Sequence, residues 1–225
     1  MYRKLLFPLI FGTVGIAILS GLGIWQVQRL QWKTTILAEI EQRIVAQPVK
    51  LTNGLAIDMD KDQYRSVKVN GTVQAEEIHV LTSLKQVGPG FLVISPLKLN
   101  DGRLVLIDRG FIPESEKNSE RILGEIKIIG NLLWPNETDH FTPDPNIEKN
   151  IWFARDLKKM SDHLGTDPIL IVASNVNPPG NLIPQRIGAN VANNHRSYAI
   201  TWFSLAVVWF GMTILLVYRM KKHNV

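Results

Sequence analysis

Cysteine is absent from this chain of 225 residues. That excludes a disulfide framework, a thiolate metal site, an iron–sulfur cluster and a cysteine nucleophile. No repeat or low-complexity tract interrupts the chain, and glycine and proline occur at ordinary levels. A Gly-rich phosphate loop, the pattern H-E-x-x-H and the pattern G-x-S-x-G are all missing, so no familiar enzyme constellation is present. The charged fraction, 20%, is too low for disorder, while the apolar fraction, 45%, is too low for a polytopic membrane protein. Net charge is +5, but it gathers in two short ends: Arg3 and Lys4, then Arg219, Lys221 and Lys222. Acidic and basic residues balance in the middle, so a basic groove for nucleic acid is unsupported.

Beside each basic end lies an uncharged apolar run, Leu5 to Trp25 and Tyr198 to Tyr218. About 20 helical residues cross a hydrocarbon core of roughly 30 Å. Two transmembrane helices are therefore expected, at 5–25 and 197–218. Pro8 falls in the first turns, where proline costs little. The first run is longer than a signal-peptide core and lacks a small-residue cleavage pattern, so a retained anchor is expected. The short lead before it points to a bacterial plasma membrane rather than an organelle. The positive-inside rule places both tails, 1–4 and 219–225, in the cytoplasm and residues 26–196 in the periplasm. Trp25, Tyr198 and Trp202 suit an aromatic belt at the outer boundary; Trp209, in mid-span, does not.

Residues 26–47 carry apolar positions mostly three or four apart, which predicts an amphipathic helix that Pro48 ends. Strand-like runs follow at 64–74, 77–82, 91–99, 103–111, 125–134, 151–154 and 169–174. Asn70-Gly71 signals a hairpin or bulge, Gly88-Pro89-Gly90 a turn, and Asn100-Asp101-Gly102 a second hairpin. Residues 136–145 and 177–188 read as irregular, and 156–164 as a helix capped by Asp156. The fold class expected is an α+β membrane protein. Two transmembrane helices flank an antiparallel β barrel or sandwich domain outside the membrane.

Two places invite chemistry. Asp108 and Arg109 sit side by side in Leu106–Pro113, and read better as paired or solvated charges at a strand end than as catalytic groups. The histidines His79, His140, His163, His195 and His223 lack ligand spacing. The first three and His223 read as structural or exposed. His195 stands at the mouth of the second helix, where His195, Tyr198 and Trp202 share a face at i, i+3 and i+7. From spacing alone it is an interfacial histidine or an axial haem ligand with aromatic rings beside it.

Three stretches, in this order, bear on those readings. They are Gly23–Lys33 (GIWQVQRLQWK), Leu106–Pro113 (LIDRGFIP) and Asn193–Phe203 (NNHRSYAITWF). With the two-helix topology they resemble the Surfeit locus protein 1 family of cytochrome c oxidase assembly factors. The resemblance covers essentially the whole chain. It implies an assembly chaperone, not an enzyme, working at or near delivery of haem a to the catalytic subunit. It carries a haem-ligand role onto His195; Tyr198 and Trp202 join that site by helix spacing and Arg196 by position. Trp25, Arg29 and Trp32 match the first motif; Arg109, Gly110 and Pro113 match the second. Phe111 stands where tryptophan is expected and Asp108 where asparagine is. The partners implied are the catalytic subunit, haem-a synthase and the lipid membrane. Arg196 or Arg29 are placed to pair with haem propionates. Two other readings stay open: a membrane-tethered scaffold that binds no haem, and a periplasmic enzyme acting on lipid or peptidoglycan.

Overall fold

The computed structural model describes residues 2–52, 57–185, 187–188 and 193–222. The basic side chains of Arg3 and Lys4 and all of His223 lie outside what it describes. The chain forms two compact units, residues 1–39 with 189–225, and residues 40–188.

The first unit is built from α1 (Tyr2–Val45) as far as residue 39 and from α4 (His195–Lys222); the last turn of α1 belongs to the second unit. Both are long and apolar enough to cross a bilayer. The apolar run and the amphipathic stretch expected after it are one unbroken helix, because nothing between Trp25 and Val45 breaks it. Small residues of α1 meet bulky ones of α4. A Cβ on Gly12 would lie 2.2 Å from Thr213 Cγ2, and one on Gly23 would lie 2.7 Å from Phe203 Cε1. A Cβ on Gly15 would lie 2.3 Å from Trp209 Nε1, and the Phe11 ring centre is 5.4 Å from that of Trp209. The numbering of these pairs runs in opposite senses, so the helices are antiparallel. Trp209 is thus a packing residue between the helices, seated against small residues of α1.

The second unit is a closed barrel. β2 (Ser66–Val73) pairs with β6 (Gly124–Leu133), β6 with β7 (Leu170–Asn177), and β7 with β5 (Leu104–Pro113). β5 pairs with β4 (Gly88–Leu99), and β4 returns to β2 through residues 97–99 against 71–73. β1 (Val49–Lys50) hangs on β2, and β3 (Ile78–Leu84) hangs on β4. Closure decides between the barrel and sandwich alternatives. It also explains Asn70-Gly71, which is neither a hairpin nor a bulge. Gly71 pairs with Leu99 on one side and Ile126 on the other, and a Cβ there would lie 2.5 Å from Lys98 O. Glycine is what lets β2 serve two neighbours where the sheet closes.

Three expectations need correction. The sheet is not wholly antiparallel, since β5–β7 and β1–β2 are parallel. β7 is reached through a long crossover rather than a tight turn, and a crossover permits parallel pairing. The turn expected at Gly88–Gly90 lies at 85–87, and Gly88–Gly90 already pair with β3. Residues 151–154 form no strand; Trp152 makes one bridge to Val80 and Ile151 one to Asn146.

Alternation along the strands fills the barrel with Val67, Val69, Leu97, Val105, Ile107, Ile128, Leu132 and Ile171. A second cluster lies on the outer face, where Leu106, Leu170 and Val172 meet Trp152 and Met160. Met160 belongs to α3 (Leu157–Leu164), whose N-terminus is capped by the Asp156 carboxylate accepting from Lys159 N at 3.1 Å. Asn131 Nδ2, on β6, donates to the carbonyl of Ile44 at 3.0 Å and to that of Tyr64 at 3.1 Å, which ties down the last turn of α1. The short helix α2 (Met59–Asp62) is one turn, capped by Asp58.

Candidate functional site

Among the described residues, the side chain of the histidine at the start of α4 has one polar partner, and it comes from the other helix of its unit. His195 Nδ1 lies 2.7 Å from Gln26 Oε1. An amide oxygen accepts only, so Nδ1–H donates. In a neutral imidazole, that proton on Nδ1 leaves Nε2 with its lone pair. Nε2 has no hydrogen-bond partner among the described residues. His195 is half-buried and Gln26 is buried, so the bond is shielded from water. Gln26 was invisible as a site residue in the sequence. Its one signal is being the first polar side chain after the apolar run, one residue beyond Trp25.

The other expected residues of this site are distributed as follows. α4 starts at His195, so His195, Tyr198 and Trp202 do fall three and seven residues apart on a regular helix. Tyr198 is exposed and Trp202 is half-buried, leaving aromatic surface free on the helix. Arg196 is exposed. On α1, Trp25 and Trp32 are both about half exposed. The Arg29 guanidinium stacks over the Trp32 ring, 4.0 Å from its centre. This is a cation–π contact, which engages Arg29 within its own helix.

Arg109, Gly110 and Pro113 belong to β5 in the barrel unit. Gly110 has φ +119°, and a Cβ there would lie 2.4 Å from Ile183 O. The reason is a bridge: Phe111 and Ile183 exchange backbone hydrogen bonds of 2.8 and 2.9 Å. The motif therefore docks the proline-bearing segment 178–184 onto β5. Asp108 and Arg109 are both buried, and neither is solvated. Asp108 accepts from Arg155 Nη1 at 3.2 Å and from Gly110 N at 3.1 Å. Arg155 also grips Glu137 through Nε, Nη2 and its own backbone N–H. Burial pushes the Asp108 carboxyl above the usual carboxylate range, against the pull of Arg155. Burial also acts upward on Glu137, but there the Arg155 hydrogen bonds win and hold it below its usual range. Asp108 is thus a paired structural charge, as the sequence favoured, with partners that the sequence did not reveal.

Arg109 is different. Its Nη2 donates to Ile122 O at 2.6 Å, and its Nη1 is buried without a hydrogen-bond partner among the described residues. Glu77 is the carboxylate that acts on it, but Glu77 is shared with His79 Nε2 at 2.7 Å and with Arg121 Nε at 3.7 Å. Burial pulls the Arg109 guanidinium below the usual arginine range, Glu77 opposing and Arg121 adding to the shift. His79, a strand residue in sequence, is a buried member of this group. His140 lies in a loop and His163 in α3, where its ring centre is 5.8 Å from that of Trp152. Among the described residues, no group of three or more His, Asp or Glu side chains is arranged to hold a metal ion.

Comparison with known proteins gives a consistent picture. The family model described as "SURF1 family" matches residues 13–207. The chain is 32% identical over 216 residues to "Surfeit locus protein 1" of Rattus norvegicus, covering 84% of this chain and 70% of the relative. It is 32% identical over 219 residues to the protein of the same name in Homo sapiens, with 84% and 72% covered. A "SURF1-like protein" of Dictyostelium discoideum is 28% identical over 240 residues, with 84% and 88% covered. The matched span includes most of α1, the barrel, the first part of α4 and the three stretches that carried the resemblance, so the chain belongs to the SURF1 family.

Proposed function

We propose that this protein is an assembly factor for cytochrome c oxidase that assists delivery or retention of haem a at the catalytic subunit, and that it is a chaperone rather than an enzyme. The observation that carries the proposal is the Gln26–His195 hydrogen bond. It holds the imidazole in the tautomer whose Nε2 lone pair is unprotonated, the form that binds haem iron. The side chains present fit that group. Trp202, half-buried, and the exposed ring of Tyr198 offer aromatic surface along the same helix, and exposed Arg196 supplies a cation for a propionate. Haem a, if bound, would supply an iron that takes up a nitrogen donor, and a visible chromophore. His195 would hold it, Gln26 would orient His195, and Arg196 would neutralise a carboxylate. Arg29 is less suited, since it already stacks on Trp32.

The proposal includes a topology. α1 and α4 cross a bacterial plasma membrane, with the basic tails in the cytoplasm and the barrel in the periplasm. Arg219, Lys221 and Lys222 in the last turn of α4 support that sense, and exposed Trp25 and Tyr198 suit the opposite interface. The bacterial source is part of the proposal; the relatives named above are eukaryotic. Partners of such a factor are the oxidase catalytic subunit, the lipid bilayer and haem-a synthase.

The test is an absorption spectrum of detergent-solubilised protein, co-expressed with haem-a synthesis enzymes, beside His195→Ala. A Soret and an α band in the wild type that are lost in the variant are expected. A colourless wild type, with haem supply verified, would replace the proposal by a scaffold that binds the oxidase subunit without haem.

A further inference from the structure

The segment 178–184 leaves a cavity of about 200 Å3 beside β5 and β6. Its walls are apolar: Ile122, Val176, Pro178, Pro179 and Leu182. One charged side chain lines it, that of Arg109. We propose that this cavity binds a carboxylate carried on a small apolar body, with the Arg109 guanidinium as its counter-charge.

The charges are the first reason. Arg109 is 6% exposed, and Arg121, whose side chain is 4% exposed, stands in the same group. Two guanidiniums share the single carboxylate of Glu77, which His79 also uses. A buried cation without an anion is expensive, and proteins rarely leave one uncompensated. The carbonyl of Ile122 satisfies one Arg109 donor but neutralises no charge. A carboxylate would do both.

Donor geometry is the second. Nη1 is buried and unpartnered, while Nη2 is committed to Ile122. Arg121 spends both of its Nη groups on the carbonyls of Glu116, Lys117 and Ser119, and among the described residues only its Nε lacks a hydrogen bond. The guanidinium fork matches a carboxylate, and an adjoining apolar wall strengthens that pairing by excluding water.

The walls are the third. Pro178 and Pro179 bring no N–H that could compete for an anion, so selectivity for charge falls to Arg109. Aliphatic side chains opposite them set a preference for an apolar remainder. The bridge between Phe111 and Ile183 holds the segment against β5 and keeps the cavity open beside Arg109. This ligand could be a free carboxylic acid or the C-terminal carboxylate of a polypeptide. None of this depends on haem binding at His195.

The experiment uses the full chain in lipid nanodiscs and measures binding by saturation-transfer NMR and calorimetry. Probes are hexanoate and phenylacetate, their neutral amides, and a leucine-ended pentapeptide with a free or an amidated C-terminus. Saturable binding of a carboxylate probe is expected, with its amide counterpart failing to bind. Arg109→Gln should weaken it about tenfold or more, and Arg109→Lys should weaken it less. Val176→Trp, which keeps Arg109 but fills the cavity, should abolish it, and melting curves establish that each variant is folded. Binding of the small acids alone identifies a free acid as the source; binding of the free-ended peptide alone identifies a protein tail. No saturable binding by folded wild type, equal affinity for amides, or undiminished binding in either Arg109→Gln or Val176→Trp would overturn the proposal.

Discussion

Arg155 is where removing one side chain should cost most in the barrel. It joins Asp108, which is fully buried, to Glu137, which is partly exposed. Arg155→Met keeps much of the side chain's bulk and removes the charge. Asp108 then retains only the Gly110 N–H as a partner. Breaking a buried pair from one side costs about 3 kcal/mol at neutral pH, because the remaining charge is uncompensated. That cost should depend on pH. Burial already raises Asp108 in the wild type, and losing Arg155 raises it further. A carboxyl raised in the folded state loses stability as pH rises from its unfolded value to its folded one. The variant's window extends higher, so its deficit should widen by about 1.4 kcal/mol per pH unit between the two folded values. Below that window Asp108 is neutral in both proteins and the deficit should shrink to the loss of Arg155's hydrogen bonds. Asp108→Asn keeps an acceptor for Gly110 N and removes the charge, so it should cost only about 1 kcal/mol. Adding it to Arg155→Met should recover most of the loss. Urea unfolding of full-length protein, followed by tryptophan fluorescence from pH 5 to 8, measures all of this. A pH-independent deficit, or a double variant as weak as Arg155→Met alone, would refute the reasoning.

Three other outcomes follow from single contacts. Gly110→Ala combines a φ of +119° with a Cβ 2.4 Å from Ile183 O; about 2 kcal/mol of stability should be lost, with faster proteolysis at 178–184. Gly15→Leu should separate α1 from α4, since even a Cβ meets Trp209 at 2.3 Å. The chain has no native cysteine, so disulfide formation between Gly12→Cys and Thr213→Cys reads that separation cleanly, and the added leucine should abolish it. Gln26→Leu should remove the bias of His195 toward protonation at Nδ1; 15N chemical shifts of the imidazole should show the two tautomers mixing, and an unchanged spectrum would mean Gln26 does not orient the ring.

Some of this could be read from residues directly. A long apolar run dictates a helix whatever surrounds it, because its backbone groups must bond internally and its side chains need apolar neighbours. The start of α3 was legible for a similar local reason, since Asp156 caps it. Asn70-Gly71 misled, because the same glycine serves a turn or a close approach of strands, and only the returning β4 selects between them. Gly88–Gly90 misled for a related reason: pairing with β3 makes strand out of residues that favour turns. His195 was legible as a place where a ligand role would fit. Gln26 was not, being 169 positions away.

Local pattern by itself determined the two long helices, the number and rough position of most strands, the cap of α3, and, through three separated stretches, the family. Those properties depend on neighbours within a few residues, or on motifs that need no coordinates. Tertiary structure alone decided that the sheet closes, that β7 runs parallel to β5, and that Asp108 answers to Arg155. It also decided that His195 is held by Gln26, and that Arg109 lies buried beside a cavity with a share in one carboxylate. Each of these pairs residues far apart in the chain. A side chain's charge and donors are written in its identity, whereas its partner and its access to water are set only when distant segments meet.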